Sequence, residues 1–224
     1  MEPTTIKRVE LLAPAGDIAS LRAAIEAGCD AVYLGGKQFG ARAYSNNFTR
    51  EDLVEAIKLC HLYGVKVYVT CNTIIYENEV PSFLDYVRFL HQNNVDAILI
   101  QDLGMLDLVR KKFPNLEIHS STQMHIHNLD DVKLMEMLGV KRVVLARETS
   151  IDTIKDIKAH SNIDLEIFVH GSLCISYSGE CLMSSLIGGR SGNRGMCAGT
   201  CRLPYNVLSN HKIINKNEPY PLST

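Results

Sequence analysis

The stretch from Thr49 to Asn72, TREDLVEAIKLCHLYGVKVYVTCN, decides how the rest of the chain is read. Leu53, Ala56, Ile57 and Cys60 recur at helical spacing behind Thr49, a residue type that caps helix N-termini, and Gly64 stops the helix. A β-branched run from Lys66 to Thr70 follows at once and ends on polar residues, Thr70 and Asn72. Outward from this unit the same alternation recurs. It predicts strands at Val9 to Ala13, Ala31 to Leu34, Ala97 to Ile100, Glu117 to Ser120, Arg142 to Ala146 and Leu165 to Val169, with Gly28 and Gly139 ending other helices. Seven strand-then-helix units in succession imply parallel strands joined by right-handed crossovers, an α/β fold.

Two parallel architectures compete, an open doubly wound sheet and a closed barrel. The open sheet concentrates ligand groups at one switch point, whereas a barrel collects them from the C-terminal end of nearly every strand. Gly16 and Asp17, Gly35 and Gly36, Thr70 and Asn72, Gln101 and Asp102, His119 to Gln123, Arg147 and Glu148, and His170 and Gly171 follow the seven strands in turn, so every strand end is polar. No Gly-x-Gly-x-x-Gly follows the first strand. The expected fold is therefore a (β/α)8 TIM-type barrel, incomplete at seven units over residues 1–170. A Cys- and Gly-rich segment at 171–224 follows, with a hairpin around Arg202 to Val207 and Lys212 to Ile214. Strand middles such as Val32, Val67, Leu99, Val144 and Phe168 should be inaccessible. An eighth unit would need further residues, so the expectation is either part of a longer protein or a barrel left open on one side.

With 46% hydrophobic and 21% charged residues among 224, disordered and fibrous classes are excluded. No apolar run approaches the ~18 to 20 residues of a membrane span, and Met1 to Glu10 has no signal core, which points to a cytoplasmic protein without a membrane partner. The net charge of −2 argues against a generic polyanion binder. Locally the balance differs: Cys181 to Asn217 carries five bases (Arg190, Arg194, Arg202, Lys212, Lys216) and no acid, against −7 for the remainder. This segment either offsets anionic thiolates, holds an anionic ligand with Arg190 and Arg194 as contacts, meets nucleic-acid phosphates, or is simply a solvated loop.

Seven cysteines without a secretory signal do not suggest a disulfide framework. Cys29, Cys60 and Cys71 read as small buried apolar residues, Cys71 alone standing at a strand end. Cys174, Cys181, Cys197 and Cys201 fall within 28 residues, with six, fifteen and three residues between them. Uneven spacing on a loop with Gly188, Gly189, Gly192 and Gly195 suits an iron–sulfur cluster better than zinc, although zinc and separate thiols stay open. His119, Gln123, His170 and Glu166, at or near strand ends, are the candidate catalytic groups, while His125 and His127 read as surface or core residues. No His-Glu-x-x-His, Gly-x-Ser-x-Gly or phosphate loop is present, so a hydrolase reading lacks a nucleophile or a zinc base.

The segment Glu166-Ile167-Phe168-Val169-His170-Gly171-Ser172-Leu173-Cys174, followed by Gly179-Glu180-Cys181-Leu182-Met183-Ser184, resembles the signature of the collagenase-like U-32 peptidase family at every fixed position. Glu10 to Gly16, Asp30 to Tyr33 and Gly195 to Cys197 are also similar to this bacterial family, and the likeness is to the N-terminal part of longer members. The resemblance implies a family named for a reported collagenase activity, with no assigned protease residues. It also implies relatives that are oxygen-independent hydroxylases carrying a 4Fe-4S cluster. Some of these act on a tRNA wobble uridine or an rRNA cytidine, with prephenate as a requirement, and others act in ubiquinone synthesis. It assigns Cys174, Cys181 and Cys197 as cluster ligands and places a fourth beyond residue 224, with Cys201 as a substitute. The reading is an iron–sulfur-dependent hydroxylase of an RNA base. The alternatives are a collagenase-like peptidase and a non-catalytic assembly module.

Overall fold

The structure, a computed structural model, describes residues 8–215 and residue 222. Its elements in chain order are β1 (Leu12–Ala15), α1 (Ile18–Glu26), β2 (Ala31–Gly35), α2 (Arg50–Leu62), β3 (Lys66–Cys71), α3 (Val80–Gln92), β4 (Ala97–Ile100), α4 (Leu103–Lys112), β5 (Glu117–Ser120), α5 (Leu129–Met137), β6 (Arg142–Val144), α6 (Ile151–His160), β7 (Asp164–Glu166) and α7 (Met183–Gly188). The side chains of Asp17, Thr49, Asp102, Asn128 and Ser150 each accept the third backbone N–H of the helix that follows, a cap worth about 1 kcal/mol. Among the described residues no helix is long and apolar enough to cross a membrane.

The seven strands form one parallel sheet in the order β1-β2-β3-β4-β5-β6-β7. A doubly wound sheet would reverse its order at a switch point; this one never does, and it curls into an incomplete barrel. Its two faces bury different things. Leu53, Ala56, Ile57 and Cys60 of α2 join Val32, Val67 and Ile98 in the large core between sheet and helices. On the inner face Ala31, Tyr68, Ala97, Leu99 and Val144 make a smaller cluster.

The inner face also carries charge. Arg142 donates to Glu10 at 2.6 Å, Tyr68 donates to the same Glu10 oxygen at 2.9 Å, and the Arg142 guanidinium lies 5.2 Å from the Tyr68 ring centroid. Burial pushes the Glu10 carboxyl up, but Arg142 and Tyr68 hold it below the ordinary range. Because Glu10 precedes β1 and Arg142 opens β6, this ion pair joins two sides of the sheet that no ladder joins among the described residues. Glu166 stands 3.6 Å from the same guanidinium, too far for a hydrogen bond, and burial raises its carboxyl. His119, fully buried within β5, reaches Glu117 at 2.9 Å and packs edge-on against Tyr68; burial keeps its imidazole below the usual histidine range, hence neutral.

Several expectations need correction. Val32, Val67, Leu99 and Val144 are buried, but Phe168 is 47% exposed, because β7 stops at Glu166 rather than running on to Val169. Among the described residues it pairs only with β6, and it ends where β6 ends. The first strand lies at Leu12–Ala15, not Val9 to Ala13, and Pro14 is accommodated because β1 is an edge strand. The hairpin is β8 (Leu208–Ser209) with β9 (Lys212–Ile213), turning on Asn210 and His211, both at positive φ. The first arm therefore starts later than the predicted Arg202 to Val207.

Two substitutions test this packing. A Cβ on Gly36 would run into the Tyr86 hydroxyl, which is buried without a hydrogen-bond partner among the described residues. Gly36→Ala should therefore cost about 1–3 kcal/mol, with Tyr86→Phe alone near neutral and the double variant partly restored, as read by thermal melting. For Glu166, whose folded-state carboxyl is raised, the sign runs opposite to that of an ion-paired acid. Its charge burdens the fold above the ordinary carboxylate range and not below it. Glu166→Gln should melt higher than the parent at pH 7, with the gap closing as the pH falls toward 4.

Candidate active site

Parallel strands deliver the residues that follow them to one end of the sheet. There Asn72, after β3, donates to Ser121 Oγ at 3.1 Å and accepts from the Ala41 N–H at 3.0 Å. Onto this end the Cys- and Gly-rich segment is fastened at two points. At the first, the N–H and hydroxyl of buried Ser178 both donate to the Glu148 carboxylate, and Arg147 Nε donates to the same hydroxyl at 3.2 Å. Burial pushes the Glu148 carboxyl up, but its own backbone N–H, the Ser178 donors and the Arg147 charge hold it below the ordinary range. At the second, Arg194 grips Glu79 through both terminal nitrogens at 2.6 Å, donates to the Ile74 carbonyl at 2.6 Å and lies 4.2 Å from the Tyr76 ring centroid.

Backbone contacts complete the docking. The Asn193 carbonyl accepts from the Ile74 N–H and from Gln101 Nε2, both at 3.1 Å, and the Gly195 carbonyl accepts from the Ala43 N–H at 2.9 Å. Gly179 and Gly195 have φ of +80° and +76° and press on the carbonyls of Gln123 and Gly40, where any Cβ would collide. These two glycines are required by backbone geometry.

Cys174 and Cys197 are exposed, and Cys181 and Cys201 are half-buried. Cys197 Sγ receives the Gly199 N–H at 3.4 Å and the Ser184 hydroxyl at 3.8 Å. A Cβ on Gly192 would lie 3.8 Å from the Cys197 Cβ and 3.9 Å from the Cys181 carbonyl, so these two cysteines flank one glycine. Cys174 lines a hollow together with Arg147, Glu148 and Tyr177. Among the described residues no three His, Cys, Asp or Glu side chains are gathered as a metal-holding group. Thiols are soft-metal donors by chemistry, and Cys181 and Cys197 border the same glycine through a backbone carbonyl and a Cβ. By contrast Cys29, Cys60 and Cys71 are buried, as expected, and burial pushes the Cys60 thiol up to about 12.

The catalytic candidates do not assemble. His119 and Glu166 belong to the buried charge network of the inner face, not to the mouth. Gln123 lies at the mouth with its carbonyl against Gly179, and His170 is exposed beyond β7. Arg194 is consumed by Glu79, whereas Arg190 is exposed and lies 5.5 Å from the Tyr44 ring centroid. Lys216 of the basic segment lies outside the described residues. Glu79 and Ser178 carried no sequence signal of their own, while Arg147 and Glu148 were marked as a polar strand end.

The chain is 41% identical over 216 residues to the 23S rRNA 5-hydroxycytidine C2501 synthase of Escherichia coli, covering 96% of this chain and 32% of that protein. It is 39% identical over 201 residues to tRNA hydroxylation protein P1 of Bacillus subtilis, covering 90% and 48%. An uncharacterized protease of Methanocaldococcus jannaschii is 39% identical over 208 residues, covering 91% and 50%. The chain therefore spans half or less of the length of these relatives. Among solved structures the U32 peptidase Mk0906 superposes with a TM-score of 0.62 at 12% identity over 71% of this chain and 68% of that one, a likeness of fold. The model of peptidase family U32 matches residues 16–224, and the chain belongs to that family.

Proposed function

We propose that the protein is an iron–sulfur-dependent, oxygen-independent hydroxylase of a base in tRNA or rRNA, acting in the cytoplasm. The observation that carries this reading is a thiol-bearing loop clasped over the C-terminal mouth of a barrel, in a chain about 40% identical to two proteins named for RNA hydroxylation. Cys174, Cys181 and Cys197 would hold a 4Fe-4S cluster, with Cys201 or a residue outside this chain as fourth ligand. When bound, the cluster supplies one-electron transfer at the mouth. The chain's own residues position this site: Glu148 and Arg147 fix the loop beside Cys174, and Glu79 fixes Arg194 three residues before Cys197. A small anionic co-substrate such as prephenate is the further partner that the family resemblance suggests.

The peptidase reading draws on the family's name and on the archaeal relative called a protease. It requires an exposed nucleophile beside a base. Ser178 lies next to a carboxylate, yet it is 1% exposed and its hydroxyl is held by Glu148 and Arg147. This serine anchors the loop instead of facing a substrate.

Two measurements decide. Anaerobic reconstitution with iron and sulfide should give broad visible absorbance that dithionite bleaches and that Cys181→Ala or Cys197→Ala greatly reduces; a colourless protein with one bound zinc would favour the rival metal. Cys174→Ala in the full-length protein should remove a hydroxylated pyrimidine nucleoside from cellular RNA, as read by nucleoside mass spectrometry. Unchanged RNA together with cleavage of denatured collagen by the purified protein would restore the peptidase reading.

A further inference from the structure

A hollow of about 240 Å3 opens where the loop passes the end of β6, walled by Arg147, Glu148, Cys174, Ile175 and Tyr177. It is smaller than the ~300 Å3 at which pockets for drug-sized molecules begin, so it suits one heterocycle. One wall is the ring of Tyr177, 64% exposed. Behind that ring stands a file of others: His125 at 5.6 Å from Tyr177, and His127 stacked on His125 at 4.9 Å with 24° between the planes. His125 holds a left-handed backbone, φ 57°, uncommon for a residue with a side chain. Its Nδ1 lies 3.6 Å from Glu180, and His127 Nδ1 meets the His125 carbonyl at 2.9 Å. The file ends in exposed rings at both Tyr177 and His127, so core packing does not account for it.

We propose that this hollow is a base subsite, in which a single pyrimidine turned out of an RNA strand stacks on Tyr177 beside the Cys174 thiol. The inference rests on the RNA reading above and adds where the base sits. An aromatic face is what proteins offer to an unstacked base. Arg147 and Glu148 put a hydrogen-bond donor and an acceptor on the same wall, the pair that a pyrimidine's polar edge requires. Both are already oriented, Arg147 by Ser178 Oγ and by the Ser176 carbonyl at 3.3 Å, and Glu148 by Ser178. The hollow is therefore built before the base arrives. Turning a base out of its stack costs a few kcal/mol, which stacking on Tyr177 offsets in part.

The chain contains no tryptophan, so Tyr177→Trp places an indole where the base would stack, and the difference from the parent spectrum reports contact without turnover. Short single-stranded oligouridylate or oligocytidylate should quench that emission, and an abasic strand of the same length should not. Tyr177→Ala should weaken binding of the same oligonucleotides about 5- to 150-fold, and Tyr177→Phe should keep it, with unchanged melting temperatures because the side chain is exposed. Absent quenching, equal quenching by the abasic strand, or full affinity in Tyr177→Ala overturns the subsite. The hydroxylase reading is scored separately by the nucleoside lost in Cys174→Ala. Loss of that nucleoside without quenching sinks the subsite alone, whereas base-dependent quenching with unchanged RNA sinks the hydroxylase and leaves the hollow assigned to a base.

Discussion

A parallel strand cannot turn straight back into its neighbour; the chain must first cross the sheet, here through a helix, before it can pair again. Repeated from β1 to β7, that constraint sends every strand start to one end and every strand finish to the other. The two ends then diverge in character. Near the starts, Lys66 and Arg142 open their strands and pair with Glu10, and Glu117 opens β5 and reaches the His119 ring. Beyond the finishes, Asn72, Gln101, Arg147 and Glu148 turn their hydrogen bonds outward to loops, and through those loops to the thiols.

The inner face shows what a barrel interior costs when it is lined with charge. One guanidinium, Arg142, faces two carboxylates. It satisfies Glu10 with a short hydrogen bond and leaves Glu166 short of one. Removing the cation would strand both acids, which is why buried ion pairs are better read as commitments to one arrangement than as sources of stability. Here the arrangement has a use, since the pair spans two sides of the sheet that backbone hydrogen bonds leave unjoined among the described residues.

How much was legible in the chain depended on how local the cause was. Lys66 to Thr70, Ala97 to Ile100 and Glu117 to Ser120 were readable because helix caps, apolar spacing and glycine stops act within one turn or strand. Ile167, Phe168 and Val169 have strand-like composition, but the ladder of an edge strand is set by its one neighbour, a tertiary matter. His119 and Glu166 lie at or near strand ends as expected, but their partners were not legible: a strand position fixes the face, while depth along the barrel depends on the stagger of the sheet. The Arg194–Glu79 clasp joins residues 115 apart. No periodicity signals such a pair, and the same arginine looked available in the sequence. The thiols were plain as a set, but their spacing along the chain does not show that, among the described residues, no three metal-ligating side chains are gathered.

The two fastenings of the loop bear on how freely its length can vary. Between Ser178 and Arg194 the chain is held at both ends, and the entropy of closing such a span grows only with the logarithm of its length, about 0.6 kcal/mol for each doubling. Residues added near Gly188 and Gly189, at the exposed C-terminal end of α7, therefore carry little thermodynamic penalty as long as both anchors persist. The anchors have no such latitude: a shift of one residue at Gly179 or Gly195 puts a Cβ into a carbonyl. Divergence in this lineage has an inexpensive route through insertions between fixed posts, so the rim of the mouth can be reshaped while the barrel beneath it is left alone.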